Sequence, residues 1–303
     1  MALQNISLKQ LRYFAAAAEH GRLAMAAAHI HVSQSTITSA ILQLEATLKT
    51  QLFIRQSHGV SLTAEGSRFY SRIRDILNSL EDTLSDTSLP SEQIDGMINV
   101  GASYTLLGYF LPALMGRFRA RHPAIKFNLL DMAREKIEHA IISGELDLGI
   151  VLLSNSQNLE RFKYTRLLES PRKLWTSVDH PLLSESRLTL DKIRQYSYIQ
   201  ITVDEGERST LRYWQQHNLK PNIGFRTSSM EALRGLIAHG FGVTILSDMV
   251  YRPWSLESKK IEAVQIIEPI ANMEIGLIWR HDAELTQAAD IFKTFLIDTC
   301  NVD

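Results

Sequence analysis

Residues 23–42 read LAMAAAHIHVSQSTITSAIL. Leu23 to Ile30 is a short alanine-rich helix whose small side chains suit close packing against a neighbour. His31-Val32-Ser33 is a tight turn, and the Ser33 hydroxyl is placed to cap a helix running from Gln34 to about Lys49. On that helix Ile37, Ile41, Leu44 and Leu48 recur at helical spacing and form one apolar stripe. Gln34, Ser35, Thr38, Ser39 and Gln43 lie off the stripe, near the helix start, and all are uncharged hydrogen-bonding groups. Two short helices at a tight turn, the second with such a face, predict a helix-turn-helix over about 23–42. A recognition helix presents its N-terminal residues to base edges in the major groove. Gln can bond adenine in a bidentate way, and Ser or Thr can bond several bases. Phosphates would repel acidic groups there, and none occurs from Ala24 through Leu44. An alanine-rich packing hairpin is the competing reading of the same pattern.

Working outward, residues 8–20 carry Leu8, Leu11, Phe14, Ala15 and Ala18 at helical spacing, and Gly21 ends that helix. Leu52 to Arg55 reads as a strand, Gln56 to Gly59 as a turn, and Val60 to Leu62 as a second strand. This hairpin is a wing. Arg55 leads into its turn, within reach of phosphates or the minor groove, unless it is a solvated surface arginine. Thr63 is placed to cap a helix running to about Asp86, whose seam is Phe69, Ile73, Ile76, Leu80 and Leu84. Such a seam needs a partner, either the same helix of a second subunit or the body of the protein. Ser85 to Asp95, with Pro90, reads as a hinge.

The 303 residues are 45% hydrophobic and 21% charged, which excludes a disordered, collagenous or disulfide-scaffold chain. The net charge of −1 hides an asymmetry: residues 1–74 carry eight cations against three anions, a net +5. The remainder therefore sums to −6, so a polyanionic partner is expected at the N-terminal part alone. The single cysteine, Cys300, permits no disulfide within one chain and fits a reducing cytosol. The start, Met1-Ala-Leu-Gln-Asn-Ile6, lacks a signal peptide's basic and apolar regions, so a cytoplasmic location is expected. Met97 to Gly116 carries no charge, but its polar residues, Pro112 and three glycines favour a buried strand and helix over a membrane span.

Beyond the hinge the pattern turns α/β. Strands are expected at Met97–Ala102, Ile125–Leu130, Leu146–Leu152, Tyr198–Thr202, Ile223–Arg226, Gly242–Leu246 and Ile275–Trp279. Helices are expected at Thr105–Ala120, with a kink at Pro112, and at Arg134–Ser143, Met230–His239 and Ala283–Thr299. The alternation implies parallel sheets with crossover helices and a cleft between two α/β units. Ser103 and Thr105 sit between a strand and a helix start, where hydroxyls and free N–H groups make an anion site. Thr227-Ser228-Ser229 repeats the arrangement, and ordinary helix capping is the alternative at both places. Tyr104, Ile201 and Phe225 are candidate apolar walls, unless they belong to the core. Arg208 can meet a ligand carboxylate, though Glu205 and Glu207 compete for it. The expected ligand is a small organic anion. No Walker-type glycine loop, GxSxG or HExxH occurs, and His20, His29, His31 and His58 lack metal-ligand grammar, so neither an enzyme nor a metal site is expected.

Leu8-Lys-Gln-Leu-Arg-Tyr-Phe14, Ala26-Ala27, His31-Val-Ser-Gln-Ser35, Leu44-Glu45, Leu52-Phe-Ile-Arg55 and Gly59-Val-Ser-Leu-Thr-Ala-Glu-Gly66 occur in one order and spacing. Together they resemble the N-terminal domain of LysR-type transcriptional regulators. The likeness continues through Gly144-Glu-Leu-Asp-Leu-Gly149 and Gly240-Phe-Gly-Val-Thr-Ile-Leu246. It implies a winged helix-turn-helix over 1–66, a linker and dimerisation helix with hinge over 67–95, and a two-subdomain, periplasmic-binding-protein-like α/β effector domain over 96–303. Subdomain I would hold 96–166 and 271–303, and subdomain II 167–270. DNA-reading positions would fall on Gln34, Ser35, Thr38 and Ser39 behind the Ser33 cap, with Arg55 in the wing. Effector positions would fall on Ser103 and Thr105, near Thr202, and around Thr227 and Ser228. The implied partners are double-stranded DNA, a small organic effector, further copies of the chain as dimer or dimer of dimers, and RNA polymerase. No cofactor and no membrane are implied. Three positions depart from the family pattern: Ser35 stands where proline is frequent, Ser39 where a basic or amide residue is frequent, and Lys49 where glycine commonly ends the recognition helix. A cytosolic solute-binding or enzyme-like α/β protein with an N-terminal helical module is the alternative reading. It accounts for 97–303 but not for turn and wing together.

Overall fold

The computed structural model describes residues 6–56, 59–85, 94–156 and 158–300. The chain divides into two compact units, Met1–Pro90 and Ser91–Asp303.

The first unit opens with α1 (Leu8–His20), whose Ser7 and Gln10 cap each other's backbone reciprocally. Gly21 ends α1 in the left-handed region at φ 63°. Helices α2 (Leu23–His29) and α3 (Gln34–Leu48) follow, separated by His31 at φ 53°. Strands β1 (Phe53–Gln56) and β2 (Gly59–Leu62) form the antiparallel wing, with Arg55 opposite Val60. The wing's tip, residues 57–58, lies outside the described residues, as does most of the hinge. Helix α4 (Ala64–Ser85) starts on Thr63, whose Oγ1 accepts the Gly66 N–H at 2.9 Å. Phe14 is the hub of this unit. Its ring centroid lies 5.2 Å from both Phe53 and Phe69, so one buried side chain ties α1 to the wing and to α4. Along the α4 seam Ile73 is buried but Ile76 is 53% exposed.

Lys49 ends α3 in the left-handed conformation, φ 51°. The Thr50 N–H donates to Glu45 O and the Lys49 N–H to Ala46 O, a Schellman closure that usually recruits glycine. A β-carbon in this conformation costs stability. Lys49→Gly is therefore expected to stabilise the first unit by about 0.5–1 kcal/mol, read as a higher urea midpoint for its unfolding. An unchanged or lower midpoint would show that the lysine side chain offsets its backbone strain.

The second unit holds three sheets, of five, three and two strands. The first has the order β4 (Ile125–Asp131), β3 (Gly96–Ala102), β5 (Leu148–Leu152), β12 (Met273–Arg280), β6 (Phe162–Ser170). Helices α5 (Tyr104–Tyr109), α6 (Leu111–Arg121), α7 (Arg134–Ser143) and α11 (Gln287–Cys300) belong to it. β3 runs parallel to β4 and β5, but β12 runs antiparallel to β5 and β6. The purely parallel expectation is thus corrected: β12 returns from the second sheet instead of being reached by a crossover helix. The expected kinked helix over 105–120 is two helices broken at Phe110, with Pro112 in the first turn of α6, where its missing N–H is harmless.

The second sheet pairs β7 (Arg172–Ser177) antiparallel with β10 (Thr244–Ser247) and β11 (Ile261–Val264). β8 (Tyr198–Ile201) runs parallel to β9 (Ile223–Thr227) and is bridged at Tyr198 to Val243. Helices α8 (Leu190–Ile193), α9 (Gly206–Gln216) and α10 (Met230–Ala238) belong to this half. The chain crosses between the two halves twice, at 170–172 and again before Met273. The uncharged run 97–116 is β3 and the two helices after it, and no described helix is long and apolar enough to cross a membrane.

Candidate functional site

On α3 the apolar stripe faces inward: Ile37, Ile41 and Leu44 are buried. Gln34, Ser35 and Ser39 are exposed on the other side and Thr38 is half-buried. The Ser33 hydroxyl accepts the Thr36 N–H at 3.1 Å and shares hydrogen bonds with the Ser35 and Thr36 hydroxyls. Thr38 Oγ1 donates to Gln34 O at 2.8 Å, so its proton is already engaged by the helix. The side-chain amide of Gln34 and the hydroxyl of Ser39 make no bond within the protein, among the described residues. Arg55 is exposed at the end of the wing, next to the tip. Gln43 is not part of the presented face, because its Oε1 accepts from Gln10 Nε2 at 3.1 Å and so ties α3 to α1. Glu45, quoted only as part of a motif, has a definite structural task. Its Oε1 accepts the backbone N–H groups of Leu52 at 2.7 Å and Phe53 at 3.0 Å, fixing the wing to the end of α3.

In the second unit an open recess of about 430 Å³ lies between the two halves, bounded by Thr105, Leu152 and Met273 on one side and Ile201, Met230 and Leu246 on the other, with Arg172 at the crossing. Of the eight residues expected at the ligand, Thr105 and Ile201 line it. Ser103 is buried, with its hydroxyl unpaired. The expected walls Tyr104 and Phe225 do not line it. Both are exposed, and Phe225 instead meets Phe241 edge-on with centroids 6.1 Å apart. Thr202, Thr227 and Ser228 do not line it either. Thr227 Oγ1 accepts the Ser229 N–H and Ser229 Oγ accepts the Ala232 N–H, which is the ordinary capping of α10. Arg208 is exposed, and its expected competitors bond elsewhere: Glu205 to Arg134 and Glu207 to Arg226.

The free anion site expected at the start of α5 is occupied by the protein itself. The Thr105 N–H donates to Asp204 Oδ2 at 2.7 Å. Asp204 and Glu205 both hold positive φ, 51° and 59°, in a 3₁₀ turn (Val203–Glu205) that carries them to this position. Asn155 Nδ2 donates to Asp204 O at 2.9 Å, and Arg134 Nε donates to Glu205 Oε1 at 2.7 Å. Burial works against the Arg134 charge, but its bonds to Glu138 and Glu205 outweigh that and raise its pKa. Three contacts from this strained turn thus join the two halves of the second unit.

A second, smaller recess of about 280 Å³ adjoins the first and shares Asn155, Arg172 and Ser209 with it. Arg172 donates from Nε to Ala271 O at 3.0 Å and from Nη2 to Ser209 Oγ at 3.2 Å. Burial lowers its pKa, nearby Tyr213 and Tyr198 partly oppose that, and Arg212 adds a smaller lowering. No group of three or more His, Cys, Asp or Glu placed to hold a metal occurs among the described residues.

Two family models match the chain: "Bacterial regulatory helix-turn-helix protein, lysR family" over residues 8–67 and "LysR substrate binding domain" over residues 91–301. The uncharacterised HTH-type transcriptional regulator YcgK of Bacillus subtilis (strain 168) is 29% identical over 266 residues, 82% of each chain. The crystal structure of HinK, a LysR family transcriptional regulator from Pseudomonas aeruginosa, matches with TM-score 0.63 at 24% identity, covering 97% of this chain and 98% of that one. Full-length CbnR complexed with its target DNA matches with TM-score 0.55 at 20% identity, covering 97% of this chain and 99% of that one.

Proposed function

This chain belongs to the LysR family of bacterial transcriptional regulators, DNA-binding proteins with an effector-binding domain, and from that premise we propose which of its residues do the work. The winged helix-turn-helix over 1–66 reads DNA through Gln34, Ser39 and Ser35, with the Thr38 methyl beside them and Arg55 on the backbone or minor groove. Residues 67–95 pair two copies, as a dimer or dimer of dimers, which is what the exposed Ile76 on α4 favours. Residues 96–303 bind a small organic effector between subdomain I (96–166 and 271–303) and subdomain II (167–270). Effector binding shifts the equilibrium between subdomain arrangements, and the linker helices pass that shift to the DNA-reading heads and so to DNA bending. The protein works in the cytoplasm, without catalysis or cofactor, with RNA polymerase as the partner through which it acts.

One observation carries the reading: α3 buries Ile37, Ile41 and Leu44 of its apolar stripe and leaves the uncharged hydrogen-bonding groups Gln34 and Ser39 unspent on the other side. The test is selection of bound sequences from a random duplex pool, followed by gel shifts of the enriched site across salt concentrations. Affinity should fall steeply with salt, as phosphate contacts require. Gln34→Ala should weaken binding to the enriched site by roughly 1–3 kcal/mol while binding to unrelated duplex barely changes. Equal loss on both would show that Gln34 only positions the backbone, and absence of any salt-dependent binding would remove the reading.

A further inference from the structure

The usual expectation for an anion in such a cleft is a helix N-terminus lined with hydroxyls. Here that place is taken: Asp204 holds the Thr105 N–H, and the Ser103 hydroxyl is buried. A ligand carboxylate arriving there would have to expel a carboxylate that the strained Asp204–Glu205 turn holds in place through Asn155 and Arg134. It would also meet that negative charge at close range. The cation of the cleft lies elsewhere. Arg172 opens onto both recesses, and its hydrogen bonds go to a carbonyl and a hydroxyl, never to a carboxylate among the described residues. Arg212, on the wall of the smaller recess, donates to Ser154 O and likewise has no carboxylate partner among them. Arg212 is exposed, but Arg172 is partly buried, and a partly buried guanidinium without a counter-ion is costly. Two guanidinium groups that share one recess repel each other, which is part of why the Arg172 pKa is lowered.

We propose that the anionic group of the effector is held by Arg172, backed by Arg212 and the Ser209 hydroxyl, and that Asp204 excludes it from the start of α5. The inference rests on the effector reading above and names the chemistry of that site. The ligand is a small carboxylate whose apolar body lies in the larger recess against Ile201, Met230 and Leu246. Its negative end supplies the missing counter-ion where the chain crosses between sheets. Arg172 begins β7, Ala271 precedes β12, and Ser209 belongs to α9, so one bound anion fixes both crossings to α9. This makes the seat a point at which ligand charge acts on the hinge of the effector domain.

Two measurements on the full chain test it. Crystals soaked in sodium bromide should show an anomalous peak in contact with the Arg172 guanidinium and none at the Thr105 amide. A peak at Thr105 with Asp204 turned away, or no peak at Arg172, overturns the proposal. In solution, sodium acetate should raise the thermal midpoint above the effect of acetamide at matched ionic strength. Arg172→Gln should weaken the apparent acetate affinity about tenfold, Arg172→Lys should recover part of it, and Arg119→Gln, at an exposed position on α6 that lines neither recess, should leave it intact. An equal acetate response in wild type and R172Q, or none in wild type, overturns the seat. Gel shifts on the same R172Q protein keep the two questions apart: DNA binding lost in every variant and in wild type refutes the regulator reading, whereas DNA binding retained without an anion response refutes only the seat.

Discussion

Phe14→Ala is expected to abolish DNA binding by unfolding the first unit while the second stays folded. Phe14 is fully buried, and its ring meets Phe53 of the wing and Phe69 of α4 at 5.2 Å each, with Tyr70 at 6.4 Å. Truncating a buried phenylalanine costs about 3–5 kcal/mol, from lost transfer energy and the cavity left behind. The three aromatic partners sit on two separate elements, Phe53 on β1 and Phe69 and Tyr70 on α4, so a small shift of one cannot refill the space. A unit of this size carries only about 5 kcal/mol or somewhat more in total. The loss therefore takes most of its stability, and α3 loses the support that points Gln34 and Ser39 outward. Circular dichroism on heating should show an early transition carrying the helical signal of the first unit, ahead of an unshifted transition for the second. The gel shift should vanish at temperatures where that early transition is complete. Phe14→Leu, which keeps most of the volume, should retain binding with a smaller loss of stability. Wild-type melting in Phe14→Ala would mean the ring is not the hub.

The first unit was legible in the sequence because its signals are local. The Ser33 cap, the stripe of Ile37, Ile41 and Leu44, and the two wing strands each declare themselves within a few residues, and the structure places them as the spacing implies. Lys49 was legible as a departure, and the structure shows it in the left-handed conformation that glycine usually supplies there. The second unit was legible as α/β but not in its return strands. β6, with Arg166 and Glu169 on a mostly solvent-facing edge, has too much charge to resemble a buried strand. The helix α9 opens with Gly206 and Glu207 and reads as loop, although it buries Thr210, Tyr213 and Trp214. The ligand cleft was least legible. Thr105 meets Asp204 across 99 residues and Arg134 meets Glu205 across 71, and no pattern within either segment announces the pairing. Sequence reasoning could place a helix N-terminus after β3 but could not know that the chain would fill it. Arg172 carries no local signal for the same reason: an arginine at the start of a strand looks solvated until the fold deprives it of a carboxylate.

Arg234→Ala is expected to destabilise the second unit by about 3 kcal/mol, near the lower end for a broken buried charge pair. Arg234, on α10, is 1% exposed. Its Nη1 donates to Tyr109 OH at 3.0 Å and to Glu231 Oε1 at 2.6 Å, and its Nη2 donates to Val250 O at 2.8 Å. Glu231 is half exposed, so water can rehydrate its carboxylate when the guanidinium is gone, and that recovery holds the loss down. The Val250 carbonyl has no such recourse and is left buried and unpaired. The stem of Arg234 also fills space that alanine would empty. Tyr109 ends α5 on the other side of the cleft, where the Arg234 guanidinium lies 5.2 Å and that of Arg252 lies 5.3 Å from its ring centroid. One tyrosine is thus gripped by two cations from the opposite half, and the substitution loosens the cleft as well as the core. For a unit of this length the loss corresponds to a fall of roughly 10 °C in its thermal midpoint. Arg234→Met separates the contributions, since it restores stem volume without charge. If hydrogen bonding dominates, R234M should stay close to R234A; if packing dominates, it should approach wild type. Tyr109→Phe alone should cost about 1 kcal/mol, and the double variant R234A/Y109F should cost less than the sum of the two singles. Additive losses would mean the hydroxyl and guanidinium stabilise the unit independently, leaving the grip across the cleft to the two cation–ring contacts.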